Sequence, residues 1–424
     1  MSSKLSQLNK KIFITLGIVL FYRFGSYIPL PYIDVTKISL FSDFAKSGIF
    51  SVFNTFSGGA IARASIFALG IMPYITASII VQVMTSLSPE MAKIRSEGGE
   101  EGNQKINLYT KYITIAVALL QGGTLLANLH NMGVTYPVSK LLFISLNCSV
   151  ILCGTMVLIW LGEYGTSNGI SNGTSIIIFA GIVAESPRDM VNAFKMSYDG
   201  SISPIALLAL FAIFGGMILF VTYVERAQRL ITIQHPQQSM MIAKMPNMQK
   251  QNFLPLKLNI ANVIPPIFAS AILLLPTTII KIFSNGGDSV SNFIAKHMSH
   301  GSAFFILLYS ACIVLFSYFY CNVLFDVKAI SSNLKRSGVF IPGIRPGEAT
   351  SNALRIIANR LAGIGSVYLL IICLIPELLS PVYGYSFLLG GTGILIVVGV
   401  ITDITTNFQT HMLSSKYSKS LRKK

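Results

Sequence analysis

The side chains able to do chemistry are few in this chain, and their spacing suits no catalytic centre. Five histidines (His130, His235, His297, His300, His411) are scattered through predicted loops and helix ends. They form no HExxH pair of the kind a helical zinc site uses, and neither a Walker phosphate loop nor a GxSxG elbow is present. Cys148, Cys153, Cys312, Cys321 and Cys373 lie in apolar runs without CxxC spacing and read as buried structural thiols rather than metal ligands or disulfides. Nearly all carboxylates fall in predicted loops, with Asp403 the main exception. An ion-coupled transporter would place carboxylates near mid-membrane. No catalytic residue, metal or cofactor is expected. What the spacing does offer is apolar. Ile71 and Ile75 share one helix face, as do Ile178 and Ile182. Converging faces of this kind would form a constriction that stops ions and water by dewetting. The same spacing also suits packing or lipid-facing stripes.

The elements that must position these residues are membrane helices. The chain is 52% hydrophobic and only 11% charged, with a mean hydropathy of +0.65. A soluble domain carries about 25% charged residues. Several apolar runs approach the roughly 20 residues that cross a bilayer. Ten crossings are predicted, near 12–29, 66–87, 109–129, 140–161, 174–184, 205–224, 260–280, 303–325, 356–375 and 387–406. The basic start, Met1–Lys11, runs into the first of them without a small-residue cleavage site, so no removable signal is expected. Polar loops are predicted at Ser88–Leu108, Gly162–Gly173, Glu225–Lys257 and Asp326–Ser351. Most of the 32 lysines and arginines lie on one side of this arrangement. The positive-inside rule then puts both termini and the two longest loops in the cytosol. The net charge of +16 is first a matter of topology, not of nucleic acid. Five helices before the first long loop and five after it would place the two halves in opposite orientations, as in inverted repeats.

One stretch departs from this pattern. Asn54–Gln82 reads NTFSGGAIARASIFALGIMPYITASIIVQ, and its first half is small-residued and polar, with an arginine. An arginine in lipid costs about 2.5–3.5 kcal/mol or more. Irregular backbone at that depth needs protein or water around it. Either this half folds back into a water-filled cavity, or it is an external loop leading to an ordinary helix from Ile66.

SGGAIARASIFALGIMPYITASIIVQ resembles the signature block of the SecY family, the channel subunits of the general protein translocon. Further similar blocks follow in order: FYRFGSYIPLP, WLGE, GISNGTSIIIFAGIVA, VERAQR, LPLKLNIANVIPPIFAS, NLKRSGVFIPGIRPGEAT, ICLIPE and FLLGGTGILIVVGV. They cover nearly the whole chain.

The resemblance implies an all-α polytopic membrane protein, an hourglass of ten helices in two inverted halves. The halves are residues 1–202 and 203–410, followed by a basic tail, 411–424. The halves would be hinged on one side and open to lipid on the other. Ile71, Ile75, Ile178, Ile182, Ile267 and Ile396 match the family's pore ring. Thr55, Phe56, Ser57, Gly58, Gly59, Ala60, Ile61, Ala62, Arg63, Ala64 and Ser65 match its plug, a short re-entrant helix that would hold Arg63 in a watery funnel. Gln82 matches a polar residue of the lateral gate. Arg345, in GIRPGE, matches the loop arginine used with the motor ATPase SecA. Lys335, Arg336, Lys250 and Lys257 join it on a docking surface for SecA and the ribosome. Other implied partners are SecE-like and SecG-like small subunits, polypeptides bearing signal sequences, and membrane lipid. The implied location is the bacterial cytoplasmic (inner) membrane, with the thylakoid as alternative. One departure stands out: the first long loop, QHPQQSMMIAKMPNMQKQ, carries only Lys244 and Lys250 where the family has a basic tract. An accessory paralogue for few substrates is the alternative function. A small-molecule transporter would need a midplane polar site that these residues do not supply.

Overall fold

Four of the helices start where a polar side chain accepts from a free backbone amide of the first turn. The computed structural model describes residues 2–38, 41, 54–97, 99–200, 203–234, 252–283, 302–383 and 390–422. In chain order the helices are α1 (Ser2–Gly25), α2 (Met72–Leu87), α3 (Pro89–Glu97), α4 (Gly99–Asn131), α5 (Lys140–Asn168), α6 (Gly173–Tyr198) and α7 (Pro204–Arg226). Strands β1 (Gln228–Ile233) and β2 (Asn252–Lys257) follow, then α8 (Ile264–Phe283), α9 (Ala303–Leu324), α10 (Val327–Arg336), α11 (Glu348–Tyr383) and α12 (Gly391–Arg422). Asn172 caps α6, Ser203 caps α7 ahead of Pro204, and Ser302 caps α9, each accepting from a backbone amide of the first turn.

Helices stand over every predicted crossing. Six of them, α4, α5, α7, α9, α11 and α12, contain segments long and apolar enough to span a membrane. By contrast α2 has 16 residues and begins at Met72, not Ile66, because the preceding residues form tight turns.

The predicted loops are less irregular than their polarity suggests. Residues 88–108 are helical in large part, since Glu100 and Glu101 in the first turn of α4 favour the positive end of its dipole. Helix α5 continues through Gly162–Asn168, and α6 runs past Ala184 to Tyr198, across Pro187. The carboxylates Glu163, Glu185 and Glu225 therefore lie on helices, not in loops. The tail from 411 is the continuation of α12 as far as Arg422. The five thiols are all free, but only Cys321 and Cys373 are buried; Cys148 and Cys312 are half-buried and Cys153 is exposed.

The architecture is not purely α. Strands β1 and β2 pair antiparallel, from Gln228 opposite Lys257 to Ile233 opposite Asn252. The pair tolerates Pro255 because a two-stranded ribbon has free edges. The two long loops meet here. Gln234 and Phe340 exchange backbone hydrogen bonds of 2.9 and 3.0 Å. Ile231 and Leu256 pack with Ile341, Leu354 and Leu361 in a small core of their own.

Packing is densest between helices close in sequence: α4 lies against α2 and α5, α5 against α6, and α9 against α8 and α11. The principal contacts between helices before residue 200 and those after 203 are α6 with α7, α6 with α12, and a slighter one of α2 with α8.

Candidate functional site

The backbone between Asn54 and Ile71 turns repeatedly instead of forming the short helix expected of Thr55–Ser65. Only residues 54–56 are helical. Gly58 and Gly59 both take positive φ, of 61° and 75°, which glycine reaches without penalty. Ala64 takes φ 45° at a cost, and its carbonyl accepts from the Leu30 amide at 2.9 Å. The Ile66 amide donates to Ile28 at 3.0 Å, so the end of the segment is stitched to the chain leaving α1. At its start Asn54 Oδ1 accepts from the Ala62 amide at 2.9 Å, closing the fold on itself.

Its apolar side chains point in two directions. Ile61, Ala62 and Ala64 sink into the core shared with Leu125 and Leu126 of α4 and Phe143 and Ile151 of α5. Phe56 enters the large cluster built mainly by the later helices. Thr55 supplies its carbonyl to the Gly58 amide. Ser57, Ala60 and Ser65 are buried.

That large cluster also takes in Ile182 (fully buried), Ile267 and Ile396, with Ile75 and Ile178 packed against it. Helices α2, α6, α8 and α12 thus bring five of the six predicted ring residues into one apolar mass beside Phe56. Ile71 lies in the adjoining cluster with Ile18, Tyr22 and Phe67, which Ile75 and Ile178 also touch. Among the described residues no group of acids, histidines and cysteines could hold a metal ion.

A set of polar residues beside this mass was not foreseen. Tyr22 donates to the Ser57 carbonyl at 2.8 Å, and Arg23 Nη1 to the Gly58 carbonyl at 3.2 Å. Arg63 Nη2 donates to the same Gly58 carbonyl, and Arg63 Nε to the Ser26 carbonyl at 3.2 Å. Arg63 Nη1 stands 3.7 Å from Glu185 Oε1 on α6. Both guanidinium groups lie over the Tyr27 ring, at 4.6 Å for Arg63 and 4.9 Å for Arg23. Protein carbonyls, a carboxylate and a ring thus surround Arg63, whose side chain stays 21% exposed. Glu185 sits one residue past the matched block GISNGTSIIIFAGIVA, where the fifth crossing was ended too early.

Gln82 is half-buried on α2, with its Oε1 enclosed and lacking a hydrogen-bond partner. Next to it, Ile75, Ile79 and Val83 of α2 meet Ile264, Phe268 and Ile272 of α8 and Phe316 and Tyr320 of α9. This seam is apolar, and Phe268 meets Phe316 edge-on at 4.2 Å between ring centroids. Across the fold, Arg345, Lys335, Arg336 and Lys257 are exposed on the unit formed by the two joined loops. Lys250 lies outside the described residues.

The chain is similar to known proteins in sequence and fold. The family model described as SecY matches residues 65–405. A protein of Rickettsia bellii named protein translocase subunit SecY is 40% identical over 422 residues, covering 99% of this chain and 96% of its own length. A solved protein-conducting channel superposes with a TM-score of 0.68 at 17% identity, over 96% of this chain and 93% of that one. Sec61 from the canine ribosome–channel complex of the endoplasmic reticulum gives 0.64 at 16% identity, with 96% and 93% covered.

Proposed function

The chain belongs to the SecY family, and from that premise we propose that it is the central protein-conducting channel of a Sec translocase. It passes unfolded secretory proteins across the membrane and releases apolar segments sideways. The observation that carries this reading is the convergence of Ile75, Ile178, Ile182, Ile267 and Ile396 in one buried apolar cluster, with Phe56 of the re-entrant segment against it. A closed apolar constriction of this kind blocks ions and water by dewetting and grips no polar group of a passing chain. Passage then need not depend on sequence.

In this reading ten helices cross the membrane in two inverted halves, residues 1–202 and 203–410. Thr55–Ser65 is the plug, and the six isoleucines, Ile71 included, are the ring. The α6–α7 and α6–α12 contacts act as the hinge, and the slighter α2–α8 contact is the lateral gate, with Gln82 beside it. A signal sequence gains about 0.8 kcal/mol per buried CH₂ on leaving water. That gain favours its insertion into the apolar seam, which would part α2 from α8, widen the ring and loosen the plug. The channel hydrolyses nothing, so force comes from a partner or the proton-motive force.

Arg345, Lys335, Arg336, Lys250 and Lys257 are proposed to dock SecA and the ribosome, and SecE-like and SecG-like subunits complete the complex. The membrane is the bacterial inner membrane, in keeping with the bacterial relative, with both termini cytosolic. A photo-crosslinker placed at Ile75 tests the function. An adduct with a stalled secretory chain is expected, and its absence would remove the pore from this position.

A further inference from the structure

We propose that Glu185 is a specificity-determining residue: through Arg63 it sets how strong a signal sequence must be before the re-entrant segment gives way. The proposal rests on the channel reading above and goes beyond it by naming a partner of the plug, Glu185, that belongs to neither ring nor plug.

The geometry is that of a clasp between separate parts of the chain. Glu185 is fixed on α6, a helix that also carries Ile178 and Ile182 of the constriction. Arg63 belongs to the segment that must move if the constriction is to open. Their side chains are only 21% and 14% exposed, so the pair is partly shielded from solvent. Arg63 spends its other donors on the Gly58 and Ser26 carbonyls, which ties the segment both to itself and to the end of α1.

Charge makes Glu185 the critical member. Arg23 shares the Gly58 carbonyl and the Tyr27 ring with Arg63, so two guanidinium groups converge at one place. Arg188, three residues after Glu185, adds to the positive field that Arg63 feels, and Glu185 opposes it. Without the Glu185 carboxylate, mutual repulsion of the arginines would push the segment outward. With it, outward motion has to break a partly buried ion pair. Gly59 leaves room for the pair, since a Cβ there would strike the Glu185 carboxylate.

The test uses the full chain in membrane vesicles with its companion subunits. Glu185→Arg and Arg63→Glu are made singly and together, with Glu185→Gln as a neutral control. Two quantities are read: ion permeability at rest, and export of a substrate whose signal sequence has been weakened. Each single change is expected to raise both, and Glu185→Arg about five- to tenfold, between the responses to losing an exposed and a buried pair. Glu185→Gln should fall between wild type and Glu185→Arg. The double exchange should return both readings toward wild type. Unchanged readings in the single variants would overturn the latch, as would a double variant no better than the worse single one. Export of a substrate with an intact signal separates these outcomes from misfolding. Failure of the wild-type chain to export that substrate would instead overturn the channel reading itself.

Discussion

Gly58 and Gly181 meet backbone to backbone: a Cβ on Gly58 would lie 2.7 Å from the Gly181 carbonyl oxygen, and one on Gly181 would lie 2.6 Å from the carbonyl oxygen of Phe56. The turns from Asn54 to Ile71 therefore seat against α6 at this point with no side chain between them. Real Cβ atoms do not approach backbone that closely, and here both obstacles are main chain.

Gly181→Ala should consequently unseat the segment. In an isolated helix the change would favour folding by about 1 kcal/mol, so the helix itself survives. Single-channel recording in planar bilayers should show a higher resting conductance for the variant, together with an unchanged helical circular dichroism spectrum. Wild-type conductance would mean that the contact does not hold the seal.

Ile396→Asn tests the constriction from the other half. Ile396 is buried in the cluster that receives Phe56. An unpartnered amide there costs the closed state about 1–3 kcal/mol. Export of a substrate with a defective signal should rise, and ion leak with it. Stringency and leak equal to wild type would exclude Ile396 from the ring.

Arg345→Glu should act on the partner and not on the fold. Arg345 is exposed, and it is its backbone carbonyl that accepts from Thr350 Oγ1 at 2.9 Å. Motor-driven export from vesicles is expected to drop at least tenfold, while the amount of channel in the membrane stays constant. Equal export would dismiss Arg345 from docking.

Leu354→Ala should loosen the two joined loops. Leu354 is fully buried in the core that Ile231, Leu256 and Ile341 share. Removing it costs about 2–5 kcal/mol locally. Limited proteolysis of vesicles should then cut within the loops several times faster than in wild type, with the membrane helices left intact.

Helices over the ten apolar runs were readable because hydropathy reports directly which residues cannot face water. Their ends were not, because a helix outlasts its apolar stretch wherever polar side chains find partners. Lys111 on α4 and Glu163 on α5 pair at 2.8 Å beyond the predicted stop of α5, and α6 passes Ala184 to present Glu185. The six isoleucines could be named only from the family likeness, since i, i+4 spacing alone does not distinguish a constriction from a lipid-facing stripe. The pairing of Gln234 with Phe340 was hidden for a different reason. A single bridge between distant loops leaves no periodic trace in either of them. Arg63 was noticed as costly, but its partners lie on α6 and at the end of α1, where nothing local points back to it.

The hairpin has a practical side as well. Its strands close at Ile233 and Asn252, and the register from Gln228 to Lys257 is set by pairing and by the small core beneath. The tract joining those two residues is thus anchored at both ends by neighbouring strands. Its length can change without shifting any membrane helix, because loop closure costs little more as a loop grows. An affinity tag or a fluorescent reporter inserted there would give a handle on the intact channel.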